Sequence, residues 1–315
     1  MNEQTKLSGF VKYTWFVLAY NVLVILWGVF LRASKSGDGC GQHWLTCHGE
    51  VVPSAPELKT VIEFSHRLMS AADGIIVIIL VIWAFRKFAK GHILRKLALA
   101  SLALVIVEGL IGAGLVLTGN TAGSYSASRP FWAMGHLIST FILLTAMTLT
   151  AWFASGNKIL SLKVSRKVFL LLGIGVFGIL LVGMSGSLAA LSNMLFPSQS
   201  LSEGIAKDFS ASSHYLLRLR LSHPIVSILT SVYLIFLAGW LRKKSEKNPS
   251  VVRWSNILSV LILVQIAFGA ATLLMLAPIV MQLGHLLLAD LIWISFVLLT
   301  ANFLQKDFLA ADEHG

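Results

Sequence analysis

The chain has 315 residues, of which 56% are apolar and only 12% are charged. Soluble domains carry about 25% charged residues, so this chain has too little polar surface to cover a folded body in water. The composition therefore argues against a cytosolic enzyme, a secreted disulfide scaffold and a disordered tail, and it predicts an integral membrane protein. The net charge of +11 fits basic cytoplasmic loops, and we expect no nucleic-acid partner.

Eight apolar stretches are long enough to cross a bilayer as helices, which takes about 20 residues each. In chain order they are 14–34, 62–85, 96–118, 130–153, 168–192, 214–241, 253–277 and 281–304. The first stretch resembles a signal peptide, but it is too long for one and no small-residue cleavage site follows it. We interpret it as a retained helix. The predicted fold class is an all-α membrane protein with eight transmembrane helices.

The placement of Lys and Arg predicts which way the helices run. Seventeen of the 25 lie on one face: Lys6, Lys12, Arg86, Lys87, Lys90, Arg95, Lys96, Lys158, Lys163, Arg166, Lys167, Arg242, Lys243, Lys244, Lys247, Arg253 and Lys306. By the positive-inside rule both termini are cytoplasmic, and the long connections 35–61 and 193–213 face outward. The first of these contains Cys40 and Cys47. We interpret them as a disulfide closing a short loop, because the outer side of a bacterial plasma membrane is oxidising.

An internal duplication divides the chain into two similar halves. A shift of 157 residues aligns His66 with His223 and Glu108 with Gln265, and a GHL motif recurs in the last helix of each half. Four helices are an even number, so both halves enter the membrane in the same orientation and form parallel-oriented four-helix bundles. Many secondary transporters have inverted repeats, although parallel repeats also occur among them. The parallel arrangement therefore makes a transporter less favoured but leaves that function open. The predicted units are 1–154, a basic linker 155–167, and 168–315.

Four histidines begin the even-numbered helices, at matching depth near the outer face: His66, His136, His223 and His285. Two imidazoles from neighbouring helices in each half suit axial ligation of a haem iron. Zinc or copper would compete, but two histidines per half are too few for a closed tetrahedral site. The alternative is that each histidine is an interfacial or packing residue. Histidine within a membrane helix is rare, which favours ligation.

The two halves differ beside these histidines. Glu63 lies three residues before His66, whereas Arg220 takes the matching place before His223. A carboxylate beside an imidazole can orient it or accept a proton, so we expect chemistry in the first half. A solvated acid at the start of a helix is the alternative. The roles of Glu108 and of Asp73, within the membrane, stay open, as do those of His43, His48 and His214.

Several arginines lie near the outer ends of the helices. Guanidinium groups at that height would bind the anionic propionates of a haem, and lipid phosphate is the alternative partner. The candidates are Arg67, Arg218, Arg220 and Arg32.

The sequence resembles the haem A synthase family over its whole length. The first half carries LRASKSGDGCGQHWLTCHG at 31–49, IEFSHR at 62–67 and MGHL at 134–137. The second half carries LFPS at 195–198, LRLRLSHP at 217–224, VQIAFG at 264–269 and LGHL at 283–286. Leucine stands at 45, where the family often has proline, and the second half lacks the cysteine pair found in some members.

The resemblance implies oxidation of a methyl group of haem O, through an alcohol, to the formyl group of haem A for cytochrome oxidase assembly. It implies that the half with His66, His136 and Glu63 receives the substrate haem, while His223 and His285 hold a haem b that relays electrons. The implied disulfide joins the two cysteines of the first outer loop.

The implied setting is the inner (plasma) membrane, crossed several times, with the haem sites toward its outer face. Implied partners are haem O synthase and a membrane electron donor or acceptor, and a homo-oligomer is one option for assembly. Two other functions stay open: a dihaem b-type electron carrier and a haem chaperone, both without chemistry on the haem.

Overall fold

A computed structural model describes residues 8–157, 160–161 and 164–305. The regular secondary structure of this part of the chain is entirely α-helical, without β-strands. Eight of its helices are long and apolar enough to cross a membrane. The prediction of an all-α membrane protein with eight spans is confirmed. The helices in chain order are α1 (Gly9–Ala33), α2 (Leu58–Lys87), α3 (Ile93–Leu117), α4 (Arg129–Ala154), α5 (Arg166–Leu195), α6 (Leu201–Phe209), α7 (Tyr215–Arg220), α8 (Ser222–Lys244), α9 (Pro249–Leu274) and α10 (Ile279–Phe303).

Side-chain caps explain where several spans begin. The hydroxyl groups of Ser8 and Ser165 accept hydrogen bonds from backbone N–H groups in the first turns of α1 and α5. The side chain of Asn248 does the same for α9, which starts with Pro249. Small polar residues satisfy the N–H groups that a helix leaves unpaired, and proline needs no partner at the first helical position.

Two local features were not predicted. The outer connection 193–213 contains the short helix α6, and the predicted span 214–241 is broken at Leu221 into α7 and α8. Pro224 accounts for the break. It has no N–H group to donate to the carbonyl of Arg220, so the helical hydrogen bonding is interrupted there.

α4 and α10 are the two most enclosed spans, and they pack against each other. The rings of Phe141 and Trp293 stack with their centroids 4.9 Å apart, and Trp293 Nε1 donates a hydrogen bond to the Phe141 carbonyl at 2.8 Å. The other spans expose many large apolar side chains, as expected of surfaces that face lipid.

We call the end of the bundle at which α2, α4, α10 and the α7–α8 span begin the histidine end. The duplication, the division into units and the sidedness stay predictions. Lys6, Lys158, Lys163 and Lys306 of the predicted basic face lie outside the described residues.

Candidate functional site

The four predicted histidines lie near the starts of their spans and are all half-buried. Three of them also touch the far end of an odd-numbered span. A Cβ atom added at Gly28 of α1, Gly186 of α5 or Gly269 of α9 would lie within about 3 Å of the ring of His66, His223 or His285, respectively. The imidazoles therefore occupy the space that glycine leaves, at one end of the bundle.

The second-half pair has a geometry that suits a metal held between two imidazoles. The ring centroids of His223 and His285 are 6.2 Å apart and the rings are nearly perpendicular, at 86°. A metal ion about 2 Å from one nitrogen of each ring separates the centroids by about 6 Å. The Ser185 hydroxyl lies 3.2 Å from Nδ1 of His223, which leaves Nε2 of that ring for a ligand. These residues fit a haem iron with two axial histidines.

The first-half pair is arranged differently. The carboxylate of Glu108 lies 2.8 Å from Nδ1 of His136, without a well-aligned hydrogen bond, and it also accepts from the hydroxyls of Ser139 and Thr140. Nδ1 of His66 is buried and has no hydrogen-bond partner among the described residues. Within that same part of the chain, no ring contact joins His66 to His136, so these imidazoles are not arranged like the second pair.

Glu63 is buried beside His66, but its oxygens bind the outer loop. One accepts a hydrogen bond from the backbone N–H of Cys40 at 2.9 Å, and the other pairs with Arg67 at 2.5 Å. Arg67 also donates to the carbonyl of Thr46 at 2.8 Å. Glu63 and Arg67 thus connect α2 to both ends of the cysteine loop.

The cysteine loop is closed by the predicted disulfide between Cys40 and Cys47, which is confirmed. The Gly39 carbonyl accepts from Thr60 of α2 at 2.6 Å and contacts Nε2 of His48 at 2.8 Å. A Cβ atom at Gly39 would collide with the backbone of α2. The loop is therefore held tightly on the start of α2, one to two turns from His66.

Arg220 serves a similar purpose in the second half. It donates to Asp208 at 2.5 Å, to Asn193 at 2.7 Å and to the Gly204 carbonyl at 3.0 Å, so it holds α6 against the end of α5. Arg218 is exposed. The predicted role of Arg67, Arg218 and Arg220 in binding propionates stays a prediction, although two of the three guanidinium groups already have protein partners.

Comparison with known proteins identifies the family. A family model described as cytochrome oxidase assembly protein matches residues 11–297. The chain belongs to the haem A synthase family. Relatives named heme A synthase include one from Alkalihalophilus pseudofirmus, 30% identical over 77% of this chain and 80% of its own length. Another, from Halalkalibacterium halodurans, is 27% identical over 86% and 89%.

A different name belongs to a relative from Thermus thermophilus. It is 42% identical over 95% of this chain and is called protoheme IX farnesyltransferase. The chain spans about half the length of that relative, at 49%. Its name describes a protein about twice as long as the region that matches.

Four further polar residues of this haem A synthase family member, whose roles the sequence left open, lie in different surroundings. Asp73 is buried and accepts from Asn21 at 3.0 Å, while His48 and His214 make local bonds in the loop and at the start of α7. His43 is exposed in the cysteine loop. In the described residues no group of three or more His, Cys, Asp or Glu side chains could hold a metal ion by itself.

Sequence reasoning missed Arg129 and Asp290. Arg129 is the first residue of α4, just outside the predicted span, and it is 5% exposed. Asp290 is 1% exposed, and neither of its carboxylate oxygens has a hydrogen-bond partner in the described chain. A charged residue within an apolar stretch was the signal that could have singled out Asp290.

Proposed function

We propose that this chain is a haem A synthase, which oxidises one ring methyl of haem O, through an alcohol, to the formyl group of haem A. The observation that carries the proposal is the difference between the two imidazole pairs. His223 and His285 already lie at ligating distance from each other, whereas His136 of the other pair lies 2.8 Å from the half-buried acid Glu108. One preformed site and one acid-bearing site suit a resident cofactor and a substrate.

The second half is proposed to hold a haem b between His223 and His285. When bound, this haem supplies one-electron transfer to and from the first half. The chain's part is to hold the two rings: Ser185 orients His223, and glycines 186 and 269 leave room for the imidazoles.

The first half is proposed to bind the substrate haem between His66 and His136. Glu108 lies 2.8 Å from Nδ1 of His136, which leaves Nε2 available to a haem iron, and its negative charge would make the imidazole a stronger donor. Glu63 is proposed to take part in this chemistry, and together with Arg67 it holds the cysteine loop next to His66.

Prenyl transfer is a second candidate, favoured by the 42% identical relative named protoheme IX farnesyltransferase. The relatives that this chain covers over 80% and 89% of their length are named heme A synthase, which supports oxidation instead.

The setting is proposed from the sequence. The charge distribution supports a plasma membrane protein with cytoplasmic termini and with the histidine end facing outward. Haem O, haem O synthase and a membrane electron donor or acceptor are the proposed partners, and residues 1–154 and 168–315 are the proposed substrate and haem b units.

Pigment analysis of membranes tests the reaction. Cells without their own haem A synthase would express this chain with, and separately without, a source of haem O, and extracted haems would be separated by chromatography. We expect the formyl product only where haem O is supplied. Formation of haem O from protohaem would support prenyl transfer instead, and two unchanged haems would support an electron carrier.

Glu63→Gln tests the proposed role of the first half, with Glu50→Gln in the same outer connection as the control, because among the described residues the Glu50 carboxylate accepts hydrogen bonds only from Ser54. We expect Glu63→Gln to keep the haem b spectrum and to stop conversion of haem O. A normal yield of haem A from this variant would contradict the role of Glu63.

A further inference from the structure

Two guanidinium groups at the histidine end have no acidic partner. Neither Arg32 nor Arg129 forms an ion pair with any acid in the described ranges, and the Arg32 side chain makes no hydrogen bond there. Arg129 is buried, and within the described residues its side chain donates only to the carbonyl of Ser124, at 2.6 Å, and weakly to the sulfur of Met194, at 3.8 Å. Unneutralised charges in such a place are costly, so an anion is expected beside them.

Both arginines lie on helix faces that are next to the first imidazole pair. The face of α1 contacts His66, and the face of α4 carries His136. Arg32 follows Gly28, which touches the ring of His66, by four residues on α1. Arg129 precedes His136 by seven residues on α4. Residues four or seven apart share a face, and the helical rise places the Cα atom of Arg32 about 6 Å beyond that of Gly28, and the Cα atom of Arg129 about 10 Å beyond that of His136, toward the histidine end.

We propose that Arg32 and Arg129 bind the two carboxylates of a tetrapyrrole held between His66 and His136. A haem carries both propionates on one edge, so an iron bound by the imidazoles directs them toward one end of the pocket. Two guanidinium groups there neutralise the two charges and form charge-assisted hydrogen bonds with them. This inference rests on the proposed function of the first half as the substrate site.

The second half offers no equivalent arginines. The offsets that align the halves place Ala189 opposite Arg32 and Pro278 opposite Arg129. Arg220 is already bound to Asp208, Asn193 and a backbone carbonyl. The two arginines therefore provide carboxylate-binding groups in the proposed substrate site that the aligned positions of the second half lack.

Haem titration of purified protein tests the inference. In the His223→Ala/His285→Ala background, which leaves only the first site, ferric protohaem and its dimethyl ester would be titrated by absorbance. We expect the protein that retains both arginines to bind protohaem about tenfold more tightly than the dimethyl ester. Arg32→Gln and Arg129→Gln should each remove most of this difference without weakening the binding of the ester. The first comparison needs no arginine variant, so it holds even if a variant fails to fold.

Three results would overturn the inference. The first is equal affinity for the acid and the ester. The second is an equal loss of affinity for both compounds in the arginine variants. The third is that the arginine substitutions lower protohaem affinity only when the first site has been removed by His66→Ala/His136→Ala. Lipid phosphate is the other source of an anion. If the variants lose affinity for nanodiscs of phosphatidylglycerol while protohaem binding is unchanged, the pair is a lipid site and the inference is wrong. Absence of any haem binding at the first site would overturn both this inference and the proposed function.

Discussion

The carboxylate of Glu108 lies 2.8 Å from Nδ1 of His136. In the matching place of the second half Gln265 donates to the backbone carbonyl of His285, at 3.1 Å, and Nδ1 of that histidine has no partner among the described residues. An acid thus acts on an imidazole ring in the first half, and a neutral amide acts on the backbone in the second. This difference supports the proposal that the chemistry takes place in the first half.

Glu108→Gln should weaken the first haem site while leaving the second unchanged. The amide keeps the shape of the side chain but removes the negative charge that strengthens His136 as a ligand, and losses of such partners cost about 10- to 100-fold in metal affinity or activity. The measurement is haem affinity of the first site together with the yield of haem A. Gln265→Glu is the matched control and should leave first-site affinity unchanged. Equal affinity of Glu108→Gln and the parent would contradict the assignment.

Trp293→Phe should destabilise the contact between the halves. The substitution keeps a ring to stack on Phe141 but removes the indole N–H, which donates to the Phe141 carbonyl and to Thr145 at 3.0 Å. The expected loss is about 2 kcal/mol of unfolding free energy, from the hydrogen bond and the smaller ring. Thermal unfolding in detergent measures it. Thr145→Val should lower the unfolding free energy by less, since the Phe141 carbonyl remains as an acceptor. An equal or larger loss in this variant would contradict the role of the Trp293 hydrogen bond to that carbonyl.

Asp290→Leu should raise the stability of the protein, because it removes a buried carboxylate whose two oxygens lack hydrogen-bond partners in the described chain. The expected gain is about 1–3 kcal/mol. Asp73→Leu is the matched comparison and should lower stability, because it leaves the amide of Asn21 without its acceptor. Melting temperatures in detergent distinguish the two. A decrease for both variants would show that Asp290 has a stabilising partner.

The short helix α6 should lose protection in acid. Lys207 and the backbone N–H of Gln199 bind the carboxylate of Glu203 and hold its pKa below the ordinary value of 4.5. A lowered pKa in the folded state means that this contribution is complete above about pH 4.5 and is lost as the pH falls through the lowered value. Amide hydrogen exchange of residues 201–209, corrected for intrinsic rates, measures it. Glu203→Gln should abolish the pH dependence, and an unchanged profile in that variant would contradict it.

The helices could be predicted closely because each span is a local run of apolar residues. The break before Pro224 is also local, and proline explains it, but apolar content alone did not show it. The disulfide followed from two cysteines in one short loop. By contrast, the role of Glu63 beside His66 stays a prediction, and the sequence did not show that the Glu63 oxygens bind Cys40 and Arg67. Spacing along α2 placed Glu63 on the right face but did not include the loop that folds back onto it.

The sequence by itself determined the eight spans, the cysteine loop and the four histidines at matching depth, because apolar length and residue spacing act along a single helix. Only the tertiary structure decided that Glu108 lies beside His136, that His223 and His285 face each other at 6.2 Å, and that Arg32 and Arg129 lack acidic partners among the residues described. These contacts join different helices. Each residue turns a helix by about 100°, so a small change in how two helices pack exchanges one neighbour for another.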